Sequence, residues 1–127
     1  MKTDTFIVKE CSSPGELRAI LQLRYHILRQ PWDQPFESSG DELEDSSVNA
    51  YIGLAEGNVI ACGRLQRNNA LTGQVRYMAV AENFRGRGLG KRILRFLEQR
   101  AAAMGLTTVQ LQARENAVEF YRAQGYE

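Results

Sequence analysis

Apolar residues recur along the 127-residue chain with two periods, and the changes between them mark out the elements. Residues 5–10 alternate weakly and read as a first strand. In "SSPGELRAILQLRYHILRQ" the period becomes that of a helix. Leu17, Ile20, Leu21, Arg24 and Leu28 follow at helical spacing, and all but Arg24 make an apolar stripe. Ser13 is placed to cap this helix, Pro14 sits at its first position, and Glu16 completes a capping box. Pro31 ends it. From Gln30 to Asn49 the chain reads as a loop that holds Pro31, Pro35, small residues at 38–40 and the acidic run "DELED".

Period-2 runs then take over. "AYIGLAEGNVIACGRL" is two apolar runs joined by Glu56-Gly57-Asn58, a hairpin signal. "RNNALTG" is a second turn, and "QVRYMAV" is the third strand of the meander. A long helix follows from about Gly88 to Met104, with Leu89, Ile93, Leu97, Ala101 and Met104 on one face and Gly105 closing it. "TTVQLQA" alternates again, with Val109, Leu111 and Ala113 on one side, and "NAVEFYRAQ" is a short last helix closed by Gly125. The expected fold is α/β of the α+β type: a mixed, mainly antiparallel sheet flanked by helices, in one domain over residues 1–127.

Composition changes this picture little. A hydrophobic fraction of 43%, a charged fraction of 24% and a net charge of +1 are ordinary for a soluble globular chain. Any electrostatic function must therefore be local, and neither a nucleic-acid nor a membrane partner is indicated. Cys11 and Cys62 stand far apart, without a second Cys or His beside either, so no zinc site is evident. A reduced, cytoplasmic protein without metal is the expectation. No run is long enough to span a bilayer, and "MKTDTFIVKE" is not a signal peptide.

The candidate chemistry lies in "VAENFRGRGLGKRILRFLEQR", residues 80–100. Gly86, Gly88 and Gly90 alternate there among Arg85, Arg87, Lys91, Arg92 and Arg95, between a strand and a helix. The first N–H groups of a helix point outward, and its dipole favours an anion. Glycines let that backbone approach a ligand, and arginines add charge-assisted bonds to phosphate oxygens. The pattern predicts a bound phosphate or diphosphate. A Walker loop fails because Arg92, not Ser or Thr, follows Gly90-Lys91. A dinucleotide fingerprint fails because its third glycine position holds Lys91.

"VRYMAVAENFRGRGLGKRIL" resembles the acyl-CoA-binding segment of the GCN5-related N-acetyltransferases. Arg85, Gly88 and Gly90 match the Arg/Gln-x-x-Gly-x-Gly/Ala loop of that family in place. "ARENAVEFYRAQGYE" resembles the family's last helix, with a shortened Asn-to-Phe interval. The resemblance runs through nearly the whole order of elements, and it implies the acyl-CoA N-acyltransferase fold. "LRYHILRQPWDQPFESSGDELED" is similar to the segment after the first helix in a bacterial subset of these transferases.

The resemblance implies acetyl-CoA, or coenzyme A, as co-substrate. The loop amides of Arg85, Gly86, Arg87, Gly88, Leu89, Gly90 and Lys91 would hold its diphosphate. The backbone of Met78, Ala79 and Val80 would pair with its pantetheine arm. Arg92 and Arg95 read equally well as solvated helix residues. Asn116 would hold the arm or cap the last helix.

The implied reaction is direct attack of a primary amine on the acyl thioester. Neutralising such an amine near pH 7 costs about 4 kcal/mol, from roughly three pKa units. The leaving thiolate benefits from a donor, and Tyr121 is the candidate. Its alternative is a core aromatic beside Phe120. The base stays open. "QVRYMAV" has no carboxylate, and Glu37, Asp41, Glu42, Glu44 and Asp45 read first as a solvated acidic loop, the alternative being that they receive a proton or attract a cationic acceptor. His26 lies inside the first helix and reads as a surface or packing residue.

The chain ends at Glu127, where family members continue with one or two strands. Three readings of this stand open: one domain of a longer protein, a truncated relative without those strands, or a protomer completed by a partner, such as a second copy in a homodimer. Two functions stand on the resemblance: an N-acetyltransferase acting on a small-molecule or peptide amine, and a catalytically weak acyl-CoA-binding module working in regulation or in a larger assembly. A nucleic-acid or general anion binder rests on the basic loop alone and lacks an aromatic platform.

Overall fold

A computed structural model of the chain describes residues 6–29, 47–54 and 57–111. In chain order these form β1 (Lys9–Glu10), α1 (Pro14–Arg24), β2 (Val48–Gly53), β3 (Val59–Arg67), β4 (Thr72–Val80), α2 (Leu89–Ala103) and β5 (Thr108–Leu111). A π-helical turn over Tyr25–Arg29 extends α1, and a 3-10 turn over Glu82–Phe84 precedes α2. The strands make one sheet in the order β1-β2-β3-β4-β5. The first four are mutually antiparallel and β5 runs parallel to β4, as a mixed, mainly antiparallel sheet requires. A parallel pair needs a crossover, and α2 supplies it. The last predicted helix, the acidic run after the first helix and the far end of the fifth strand lie outside the described residues.

Alternation along β2 and β3 divides the core into two. Ala50, Ile52, Ala61, Leu65 and Val75 face α2 and pack on its buried Leu89, Ile93, Leu94, Leu97 and Ala101. Tyr51, Cys62 and Ala79 face the other way and meet Ile20 and Leu23 of α1. The apolar stripe expected of the long helix is therefore present, with Leu94 added to it. Gly105, at φ +82°, follows α2 as its predicted terminator.

Three expectations change in detail. The first strand shrinks to Lys9–Glu10, the two residues that find partners, Tyr51 and Ala50, on β2. Phe6 leaves the sheet edge to set its ring edge-on to Phe84, with centroids 6.0 Å apart. The strand after the acidic loop begins at Val48, so Asn49 lies within it, paired with Arg64. The capping box reaches one residue further back than its usual form. Ser13 Oγ accepts the Glu16 N–H at 3.2 Å, but Glu16 Oε1 takes its bond from the Ser12 N–H at 2.7 Å.

Gly63 faces α2 at the centre of the sheet. An added Cβ there would lie 2.5 Å from Met78 Sδ and 2.8 Å from Ile93 Cγ2. Gly63→Ala should therefore lower unfolding stability by about 1–3 kcal/mol through overpacking, measured by urea denaturation.

The other oxygen of Glu16 ties α1 to the sheet by accepting the Tyr51 hydroxyl at 2.7 Å. That bond, with the Ser12 N–H next, holds the Glu16 carboxyl down to about 2, from an ordinary 4.5. Burial, followed by the Glu16 carboxylate, pushes the Tyr51 phenol up to about 12, so it stays a donor at neutral pH. A depressed carboxyl contributes stability above its unfolded value, and that contribution is lost as pH falls through the folded value. This anchor should hold above pH 4.5 and fail toward pH 2. In a carboxyl NMR titration, Tyr51→Phe should move the Glu16 midpoint upward.

Candidate functional site

The loop between β4 and α2 is built to leave donors facing outward. The Ala81 N–H bonds to Ile60 O at 2.8 Å and closes the strand, and the Phe84 N–H bonds back to Ala81 O at 2.9 Å. Gly86 and Gly88 then take φ of +82° and +77°, a region that costs any other L-residue about 1–2 kcal/mol. Gly88 is the N-cap of α2, and no side chain caps the helix there. The first-turn N–H groups of such a helix find no partner within it, and its dipole adds partial positive charge.

A Cβ built on either Gly86 or Gly88 would meet nothing within 4 Å among the described residues. These glycines are therefore required by backbone conformation, and they leave the space above the loop open. Arg85, Arg87 and Lys91 are exposed around it. Open backbone, an uncapped helix start and three cations fit a diphosphate.

The arginines of this segment have different partners. Arg85 donates Nε–H to Val80 O at 3.3 Å, tying the loop to the strand end. Arg87 lies 5.1 Å from the centroid of the Phe84 ring. Arg92 donates to Phe6 O. Arg95 pairs with Glu98 at 2.7 Å and Arg100 with Glu10 at 3.2 Å. The structure thus gathers Arg85, Gly86, Arg87, Gly88, Leu89, Gly90 and Lys91 at one place and engages Arg92 and Arg95 elsewhere.

The strand before the loop carries a bulge. Cys62 pairs with Ala79 and Arg64 with Arg76, so Gly63 alone opposes both Tyr77 and Met78. Tyr77 absorbs the extra residue at φ +59°. Met78 points toward α2, whereas Ala79 packs on α1. These side chains are turned into the two cores, and on one edge Ala79 and Val80 pair with Cys62 and Ala61 of β3.

The bulge has a second effect. Successive strand residues normally face opposite sides, yet the Arg76 guanidinium lies 4.8 Å from the Tyr77 ring centroid. Arg24 and Arg64 approach the same ring at 4.5 and 4.8 Å. Arg24 is completely buried, with Nη2 donating to Asn49 Oδ1 at 2.5 Å. The one charged residue at a stripe position of the first helix is thus an interior residue. This group was missed at the level of sequence. A signal was present, because Cys62, Arg64 and Gln66 alternate with Ala61, Gly63 and Leu65, which puts polar side chains on one face of a strand covered by helices.

Tyr121 and Asn116 lie outside the described residues, as do Glu37, Asp41, Glu42, Glu44 and Asp45. His26 is exposed on the π-helical turn, with its ring tilted against Tyr25 at 5.7 Å. Among the described residues no three His, Cys, Asp or Glu side chains gather as a metal site, and no helix is long and apolar enough to cross a membrane.

Comparison with known proteins bears on the family and the fold. The model of the Acetyltransferase (GNAT) family matches residues 17–126. The uncharacterized N-acetyltransferase YjcF of Bacillus subtilis is 28% identical over 111 residues, covering 87% of this chain and 78% of that protein. Escherichia coli ElaA superimposes with a TM-score of 0.81 at 19% identity, over 95% of this chain and 86% of that one. Glucosamine-6-phosphate N-acetyltransferase from Arabidopsis thaliana gives a TM-score of 0.72 at 23% identity, over 98% and 92%. At these identities the two structures establish a shared fold.

Proposed function

Since the chain belongs to the acetyltransferase (GNAT) family, matched over residues 17–126, we propose that it is an acyl-CoA-dependent N-acyltransferase that moves acetyl from acetyl-CoA to a primary amine. The observation that carries this reading is the open loop of positive-φ glycines at the uncapped start of α2. The backbone of residues 85–91 holds the diphosphate, with Arg85, Arg87 and Lys91 adding charge. The backbone of Met78, Ala79 and Val80 aligns the pantetheine arm as an added strand would, and Asn116 assists it. The co-substrate supplies an acyl group already activated as a thioester.

The chain's own groups then position and move protons. The amine nitrogen must lose a proton to attack. The thiolate that leaves must gain one, and Tyr121 is assigned to give it, since a phenol near pKa 10 remains protonated at neutral pH.

Titration calorimetry with acetyl-CoA tests the site, and free-thiol release over a panel of amines tests the transfer. Absence of binding at millimolar ligand would overturn the reading. Gly88→Val brings a β-branched residue to φ +77° and a side chain into the open space. It should weaken acetyl-CoA binding about tenfold or more, and unchanged affinity would remove the loop from the site. Tyr121→Phe should lower turnover about a hundredfold with coenzyme affinity retained. Unchanged turnover would reassign the proton donor.

A further inference from the structure

Residues from the start of the chain converge on the glycine loop. Phe84 ends the 3-10 turn before that loop, and its half-buried ring packs at the margin of the α2 core. Phe6, from the N-terminal segment, meets this ring edge-on, with centroids 6.0 Å apart and an angle of 83° between the rings. Phe6 is in turn held by its backbone, since Arg92 of α2 donates to Phe6 O. The Arg87 guanidinium lies over the same Phe84 ring, 5.1 Å from its centroid.

The sequence around Arg87 explains why it needs such support. It stands between Gly86 and Gly88, at φ of +82° and +77°, where the chain has the least conformational restraint of its own. Its side chain is exposed, long and rich in rotamers. Ordering such a group only when a ligand arrives lowers affinity. A guanidinium attracted to the face of a ring keeps its in-plane N–H fork for an oxyanion. The other cations of the loop are placed differently. Arg85 gives its Nε–H to Val80 O at 3.3 Å, and Lys91 is a point charge on the first turn of α2.

We propose that Phe84, backed by Phe6, is a positioning residue for coenzyme binding: it holds Arg87 poised to donate its fork to a phosphate group of coenzyme A. The ring contributes through Arg87 and not by touching the ligand. The N-terminal segment is then part of the coenzyme site, although its own residues carry no phosphate-binding motif. This inference rests on the acyl-transfer reading.

Calorimetric titration of the whole chain with coenzyme A comes first. Absence of binding at millimolar coenzyme would overturn the acyl-transfer reading and this inference with it. Arg87→Ala should weaken binding about tenfold, and Phe84→Leu about three- to fivefold. Phe84→Tyr keeps a ring under the guanidinium and should leave affinity at the wild-type level. The deciding measurement is a double-mutant cycle. In an Arg87→Ala background, Phe84→Leu should cause no further loss, because no guanidinium remains for the ring to hold. Phe6→Leu spares the turn itself; it should weaken binding by a smaller factor, and that loss should also vanish without Arg87. Titration of dephospho-coenzyme A, which lacks the ribose phosphate, then identifies the partner. Sensitivity to Phe84→Leu that disappears assigns the ribose phosphate, and sensitivity that persists assigns the diphosphate. Losses of equal size with and without Arg87 would make the rings merely structural and overturn the proposal, with coenzyme binding itself still standing. So would unchanged affinity in both Phe84→Leu and Phe6→Leu, or a Phe84→Tyr protein as weak as Phe84→Leu.

Discussion

The bulge opposite Gly63 is the constraint on which the middle of this structure turns. One residue of β3 faces two of β4, and a regular ladder cannot accommodate that. Tyr77 takes a left-handed conformation that costs about 1–3 kcal/mol. Its ring sits among guanidinium groups, and Met78 fills the space that a side chain at position 63 would need. The absent side chain of Gly63 and the strained backbone of Tyr77 are two halves of one arrangement. Without it, Arg76 and Tyr77 would point to opposite faces of the sheet.

The two faces of the sheet do different work. On one, α2 buries a continuous aliphatic stripe, and the same packing holds its first turn still beside the glycine loop. An anion site made of backbone amides needs such rigidity, because its donors cannot be re-aimed by rotating side chains. On the other face, apolar contacts give way to a line of buried amides and arginines under the C-terminal end of α1. The acyl-transfer reading draws on the first of these features.

Much of this was legible in the sequence, and the reasons are local. The helices announced themselves by period and punctuation: Ser13 and Pro14 before one, Gly88 and Gly105 around the other. The hairpin at Gly57 and the turn before Thr72 followed from residue type. The loop was readable because the conformational need of Gly86 and Gly88 belongs to the residues themselves. Arg24, Arg64, Arg76 and Tyr77 were not seen as a group. They come from three elements and meet through strand register and a one-residue bulge, which no periodicity reveals. Arg24 also broke the apolar stripe, and a lone charged residue in a stripe reads as an exception until its strand partners are known. The short β1 was overestimated for a related reason, since an edge strand extends only as far as its neighbour's pairing.

The contacts between α2 and the N-terminal segment have a consequence for folding order. Arg92 with Phe6, and Arg100 with Glu10, join positions 86 and 90 residues apart. Closing loops of that length costs conformational entropy that the intervening sheet offsets by bringing their ends near, so the N-terminal segment is expected to dock after the sheet and to be released before it. Its release would not be silent. Phe6 supports the ring of Phe84, and Arg87 lies over that same ring, one residue before the Gly88 cap. A displacement of Phe6 would thus reach the loop at the start of α2 through two edge-on rings and a guanidinium.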